Sequence, residues 1–502
     1  MILRDNILAS YASQLYVALI GIVVVPVLIK LLGPESYGLV GFYSMLQAWF
    51  NLLDMGMSPS ISRETARFHG GSSTAMSYRR LVRALEGVFV IIALLAGTVL
   101  LLGARGIAEN WLNFDKLPLS EVIFAIQVMA LIVALRWTCG LYRGIIIGSQ
   151  QLVKLSGINI TIATLRFVVV IPVLIYVAST PSAFFAFQLG IALFELALLI
   201  IFAYQLLPNL PEGEPISWEW APLKPVLWFS LTIAFTSSIW VMVTQADKLI
   251  LSGILNLDEY GYFTLAVLAG STIMLLSSPV GQSLMPRLSR LEAEGRHDTL
   301  IHVYRTGTQL VAILAGSAAI TVACMARPLL LAWTGDPALT DFAAPVLTLY
   351  AIGNGFLAVA AFPYYLQYAK GSLRLHLIGN LIFLLLLVPA IIWTTKTFGA
   401  VGAGWAWLGM NALTFVAWLP FVHKTFAPGL NLRWYTLDTL VLLLPAAAAG
   451  FAISRLISED VSRVLLLLST VGVGLVVISV AVAIQFTIKR IAHEPFLSWG
   501  DP

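Results

Sequence analysis

Charge is the scarcest ingredient of this chain. Asp, Glu, Lys and Arg make up 11% of its 502 residues, against 59% hydrophobic residues and a mean hydropathy of +0.90. A water-soluble domain carries roughly 25% charged residues, so this sequence cannot cover a surface that faces water. Lipid is its expected solvent. Cysteine is nearly absent as well: Cys139 and Cys324 both lie inside apolar segments, which excludes a disulfide framework and a thiolate metal site. Catalytic signatures are missing too. No Walker A sequence, His-Glu-x-x-His, Gly-x-Ser-x-Gly or spaced Cys/His cluster occurs. The chemistry to expect is recognition and movement, not bond breaking, with no enzyme activity, resident cofactor or metal. The net charge of +4 is small, its distribution matters more than its size, and no nucleic-acid partner is expected. The first apolar stretch runs about 24 residues without a small-residue cleavage site, so it is expected to be the first membrane helix and not a cleavable signal.

What the chain does have is long apolar runs. A membrane helix needs about 20 apolar residues, and fourteen such stretches are legible. They centre on 7–31, 37–57, 83–103, 119–140, 155–178, 182–207, 226–253, 260–284, 307–333, 341–368, 373–395, 399–423, 435–454 and 463–487. The expected fold class is therefore an all-α integral membrane protein with about 14 transmembrane helices.

The runs repeat. Gly33-Pro34-Glu35-Ser36-Tyr37-Gly38 returns as Asn256-Leu257-Asp258-Glu259-Tyr260-Gly261 at an offset of 223, and Leu52-Leu53 returns at Leu275-Leu276. Trp111 matches Trp333 at 222 and Asn159 matches Asn380 at 221. Such self-similarity implies two homologous six-helix lobes, 1–210 and 211–430, with helices thirteen and fourteen in 431–502 as an addition that ends in a cytoplasmic tail. Six is even, so the repeats are parallel, related by an axis along the membrane normal. Lys and Arg divide 19 to 8 in favour of the side that holds the N-terminus, with Arg136 and Arg166 at membrane depth. The positive-inside rule then puts both termini in the cytoplasm. Pro26, Pro172, Pro279, Pro389, Pro420 and Pro445 fall within apolar stretches, where each removes a backbone donor and tends to bend its helix.

Charges inside the membrane are costly and usually face the protein interior. Arg166 and Glu195 fall at similar depth on the helix-five/helix-six hairpin, either as a structural ion pair or as a site where the cation meets an anionic substrate and the carboxylate exchanges protons. Arg136 and Arg143, seven residues apart, share one face of helix four. With Lys154 and Arg166 they form a cationic ladder from the cytoplasmic surface, suited to a diphosphate because Arg binds phosphate in bidentate fashion. Basic residues at helix ends are also routine snorkelling anchors. Asp247 and Lys248 are adjacent, so they point about 100° apart and do not form a simple pair. Asp247, with Glu195, is a candidate ion-coupling carboxylate, and Lys248 a candidate substrate contact. Asp54 and Glu86 are expected to partner the basic loop Arg63 to Arg83, and Asp54, Arg63 and Arg287 are the candidate cytoplasmic gate.

At Leu31-Leu32-Gly33-Pro34-Glu35-Ser36-Tyr37-Gly38, followed by Leu53-Asp54-Met55-Gly56 and Arg63-Glu64-Thr65-Ala66-Arg67, the chain resembles the bacterial polysaccharide flippases. These are the Wzx-type O-antigen and capsule repeat-unit translocases of the multidrug/oligosaccharidyl-lipid/polysaccharide exporter superfamily. The resemblance implies an inner-membrane protein of two MATE-like six-helix lobes around a cationic central cavity. It implies a substrate, undecaprenyl-diphosphate-linked oligosaccharide, and a proton or sodium gradient as the energy source. A polysaccharide polymerase and a chain-length regulator are the implied partners beside the bilayer. In such proteins the first two helices of each lobe line the seam, which favours Asn6, Gln14, Gln47, Trp240, Gln245 and Gln282 as sugar contacts here. A multidrug exporter of the same superfamily is the first rival, but helix one lacks the interior acid expected of it. A lipid II flippase would show arginine-rich first helices. A membrane-embedded polymerase or glycosyltransferase would show a large extracytoplasmic loop or clustered carboxylates, and neither is present.

Overall fold

The computed structural model describes residues 2–209 and 223–492. Helices account for nearly all of them, and among the described residues the only β contact is an isolated bridge between Asn113 and Asn256. Among the described residues, eleven helices are long and apolar enough to cross a membrane, where fourteen stretches were expected. The difference lies in three places. The 53-residue stretch Arg374–Phe426 is broken at Gly399, whose φ of 61° no helix contains. Pro34–Phe50, at 17 residues, is short, and Leu223–Ser252 has many side chains outside the described residues.

Packing divides the chain into two compact units, Met1–Gly261 and Tyr262–Pro502. In the first, the helix Leu119–Gly148 is the central post, packed by Ala75–Asn110, Pro181–Leu206, Met57–His69 and Pro34–Phe50. Its Gly140, Gly144 and Gly148 recur every fourth residue and lie against Met57–His69. A side-chain carbon at Gly144 would sit 2.5 Å from Ile61 and 2.7 Å from the Ser58 carbonyl. Small residues at this spacing let helices meet backbone to backbone, which supplies the association that lipid does not drive.

The repeated motif is itself a packing element. A side-chain carbon at Gly261 would lie 3.1 Å from the Pro34 carbonyl, and one at Gly38 would collide with the Leu257 carbonyl. Glu35, three residues before Gly38, is buried and accepts the backbone N–H groups of Asp115, Lys116 and Leu117 at 2.9–3.0 Å. The carboxylate thereby closes a loop whose donors would otherwise be unpaired.

The second unit contains a large hydrophobic core. Tyr304, Phe362, Phe415, Trp434, Leu442 and Val477 are all members. Val441–Ser454 and Arg463–Ala492, the two helices expected to lie beyond the repeats, share this core and pack on each other and on Ser317–Cys324. Several bends follow the expected prolines. One-turn π segments at Leu165–Val169 and Thr414–Trp418 contain Val168 and Val416, the residues four before Pro172 and Pro420. A proline cannot donate to that carbonyl and clashes with it, so the helix widens for a turn. Another π segment, Thr436–Leu440, precedes Pro445, and the chain turns at Val24 ahead of Pro26. Pro279 and Pro389, by contrast, sit within unbroken helical segments.

Candidate functional site

Arg136 and Arg143 lie two turns apart on the central post and converge on one carboxylate. Arg136 Nη2 donates to Glu195 Oε2 at 2.8 Å, and Arg143 Nη2 donates to Glu195 Oε1 at 2.5 Å. Glu195 comes from Pro181–Leu206, the most extensively packed neighbour of the post. The remaining guanidinium donors reach further. Arg143 Nη1 donates to Asn159 Oδ1 at 2.6 Å, and Arg136 Nη1 to Gln47 Oε1 at 3.4 Å. Four helices are therefore tied together by one polar cluster. Arg136 and Glu195 side chains are only 7% and 5% exposed, whereas Arg143 is 30% exposed. The cluster thus has a closed end at Arg136 and an accessible end at Arg143.

Arg166 does not join it. Its Nε donates to Gln188 Oε1 at 3.4 Å, and Gln188 Nε2 donates back to the Arg166 carbonyl at 3.0 Å. Its guanidinium also lies 5.2 Å from the Phe167 ring centre. The expected Arg166–Glu195 pair is corrected here. Gln188, which holds Arg166, precedes Glu195 by about two turns of the same helix, so Arg166 neighbours the cluster without bonding to its carboxylate. Arg166 lies within the π turn Leu165–Val169. No ion pair to Arg166 exists among the described residues. Three arginines therefore accompany the Glu195 carboxylate in this part of the unit's interior.

The other candidates are more dispersed. Lys154 is exposed, with no hydrogen-bonding partner among the described residues. Asp247 and Lys248 do pair, contrary to expectation: Lys248 Nζ folds back to the Asp247 carboxylate at 3.4 Å and to the Thr244 carbonyl at 2.9 Å. A flexible four-carbon stem spans the angle that separates the two backbone positions. Trp240 is 42% exposed and Gln245 half-buried on the same helix. Asp54 caps the start of Met57–His69 by accepting from the Ser58 amide at 3.2 Å and hydroxyl at 2.6 Å, so it does not partner the basic loop. Glu86 does, accepting from Arg83 at 3.5 Å as well as from Tyr204 and Tyr142. Arg63 is exposed and Arg287 half-buried. Among the expected sugar contacts, Asn6 is buried and ties helix one to the Gln150 carbonyl and the Val153 amide, a structural use. Gln14 and Gln282 bond to serines one turn away on their own helices.

Sequence reasoning missed a second buried cluster. Arg305 Nε and Nη2 donate to both oxygens of Asp438 at 2.8 and 2.9 Å. Gln309 donates to the same carboxylate at 2.6 Å and accepts from Gln485 at 3.1 Å. Asp438 within an apolar run was the available signal, but its partner is 133 residues away. No group of three His, Cys, Asp or Glu able to hold a metal occurs among the described residues.

Comparison with known proteins adds three findings. The family described as polysaccharide biosynthesis protein matches residues 3–292. A Shigella flexneri protein provisionally named an O-antigen transporter is 19% identical over 378 residues, covering 75% of this chain and 87% of that one. Among solved structures, the lipid II flippase MurJ in an inward closed conformation superposes with a TM-score of 0.71 at 13% identity, over 97% of this chain and 99% of that one. The MATE multidrug transporter DinF-BH gives 0.55 at 17% identity over 86% and 96%. Both likenesses concern the fold.

Proposed function

We propose, for a chain that belongs to the polysaccharide biosynthesis protein family, that it flips an undecaprenyl-diphosphate-linked oligosaccharide, an O-antigen or capsule repeat unit, across the bacterial inner membrane. The observation that carries this reading is the excess of arginine in the N-terminal unit: Arg136, Arg143 and Arg166 against the single carboxylate Glu195. Ionisable groups at this depth are rare and usually functional. A diphosphate supplies the missing negative charge and the acceptor geometry that guanidinium forks match. Arg143, at the accessible end, meets the headgroup first. Glu195 holds the arginines in its absence and is released from them as phosphate oxygens take over, with a proton or sodium gradient resetting the site. Asp247 is the second candidate for ion coupling. The Lys and Arg distribution supports cytoplasmic termini, and the polymerase and chain-length regulator would act on the delivered units.

Complementation tests the reading. The chain is expressed in cells that lack their own repeat-unit flippase, and surface polymer is measured. Restored polymer is the expected result. Inserted, stable protein with no polymer for any of a panel of repeat units sinks the proposal, and resistance to cationic drugs in the same cells would replace it with the exporter reading.

A further inference from the structure

The second unit holds a cavity of about 430 Å³ that no part of the proposed transport reaction uses. Its location is set by four span ends. His297 starts one membrane-length helix, Lys370 follows the end of another at Ala369, Phe426 ends a third, and Arg433 lies in the first turn of a fourth that starts at Asn431. All four ends meet at one membrane face, so the cavity lies at headgroup depth. This is also the face on which Lys and Arg concentrate.

Its lining is divided by chemistry. Lys370, Arg433 and His297 supply basic groups, while Leu300, Ile301 and Phe426 supply an apolar wall. The Glu292 carboxylate stands at this rim. It accepts from Lys370 Nζ at 3.1 Å with both oxygens and lies 3.3 Å from His297 Nδ1. It holds the lysine where an incoming anion would need it. A cation-bearing, half-apolar pocket between helix ends at the membrane surface is the arrangement that takes a lipid phosphate, with the acyl chains running down the wall. The volume falls in the range of small-molecule sites, about 300–1,000 Å³.

We propose that this cavity seats the phosphate headgroup of an anionic bilayer phospholipid, with Lys370 and Arg433 as its charge partners and Glu292 as the group it displaces. The site is independent of the transported lipid and of the arginine cluster in the other unit. The probe is phosphatidylglycerol, compared with phosphatidylcholine of the same acyl chains, on the delipidated full-length protein. Native mass spectrometry reads the bound lipid.

The wild type is expected to prefer phosphatidylglycerol. Replacing both cations, Lys370→Gln with Arg433→Gln, should weaken that preference on the order of tenfold. Lys370→Arg with Arg433→Lys should keep it. Glu292→Gln, which leaves both cations in place, should strengthen it and serves as the test if the double Gln variant does not fold. An unchanged preference in the double Gln variant, or in Glu292→Gln, overturns the proposal. Displacement of the bound lipid by millimolar inorganic phosphate also overturns it, since the site would then be one for the free anion.

Discussion

In the C-terminal unit one arginine meets one carboxylate; in the N-terminal unit three arginines accompany one. Arg305 grips Asp438 with two parallel hydrogen bonds, and Gln309 adds a third donor to the same carboxylate. The pair is electroneutral and both its carboxylate oxygens are occupied, which makes it a lock that holds the last two helices in the core. Glu195 also has both oxygens occupied, yet the arginines around it retain spare donors and spare charge. Burial of an ion is tolerable in both places, but only the second arrangement has a reason to accept another anion. Under the proposed function, the contrast separates a buried charge that fixes a structure from one that would receive a ligand.

Three experiments can break or sharpen it. The largest effect belongs to the lock. Asp438→Ala leaves Arg305 without its carboxylate and should cost about 3–5 kcal/mol, seen as loss of folded protein or a large fall in Tm. The double change Arg305→Met with Asp438→Leu should recover most of that loss. A near-normal Tm in Asp438→Ala would erase the distinction between the two regions. Arg136→Ala comes next. Glu195 keeps Arg143, so stability should fall by only about 1–3 kcal/mol, while surface polymer in the complementation assay should fall tenfold or more. Equal losses of stability and transport would assign Arg136 to structure. The smallest stability effect is expected at Arg166, whose side-chain hydrogen bond is the long 3.4 Å contact to Gln188. Arg166→Ala should lose transport with Tm little changed, and Arg166→Lys should retain part of it. Full transport by Arg166→Ala would remove that residue from the ladder.

Much of this architecture was legible in the sequence because the signals are periodic or local. Apolar runs gave the helices, and a seven-residue spacing put Arg136 and Arg143 on one face. The motif that repeats at 223 residues marked positions where backbones meet. What failed depended on register between helices. Depth counted along the hairpin matched Arg166 with Glu195, but a π turn and the two-turn offset to Gln188 lie between them. Angular spacing argued against an Asp247–Lys248 pair, and a flexible lysine stem overrode it. Nothing local to Arg305 names Asp438 as its partner, because the pairing depends on how the last two helices dock.

The glycine crossing in the N-terminal unit carries a further consequence. Gly38 sits against the Leu257 carbonyl and Gly261 against the Pro34 carbonyl. Moving Gly38 forward by 223 residues reaches Gly261 and moving Leu257 back by 223 reaches Pro34, so one contact turns into the other. Residue i meeting j while j's counterpart meets i's is the mark of an isologous, twofold interface. Two separate copies of a half-length chain would meet in this way, each glycine against the other copy's proline carbonyl. The crossing therefore has, within one polypeptide, the reciprocity of a homodimer contact, and because its two sides are separate stretches of sequence each can change alone.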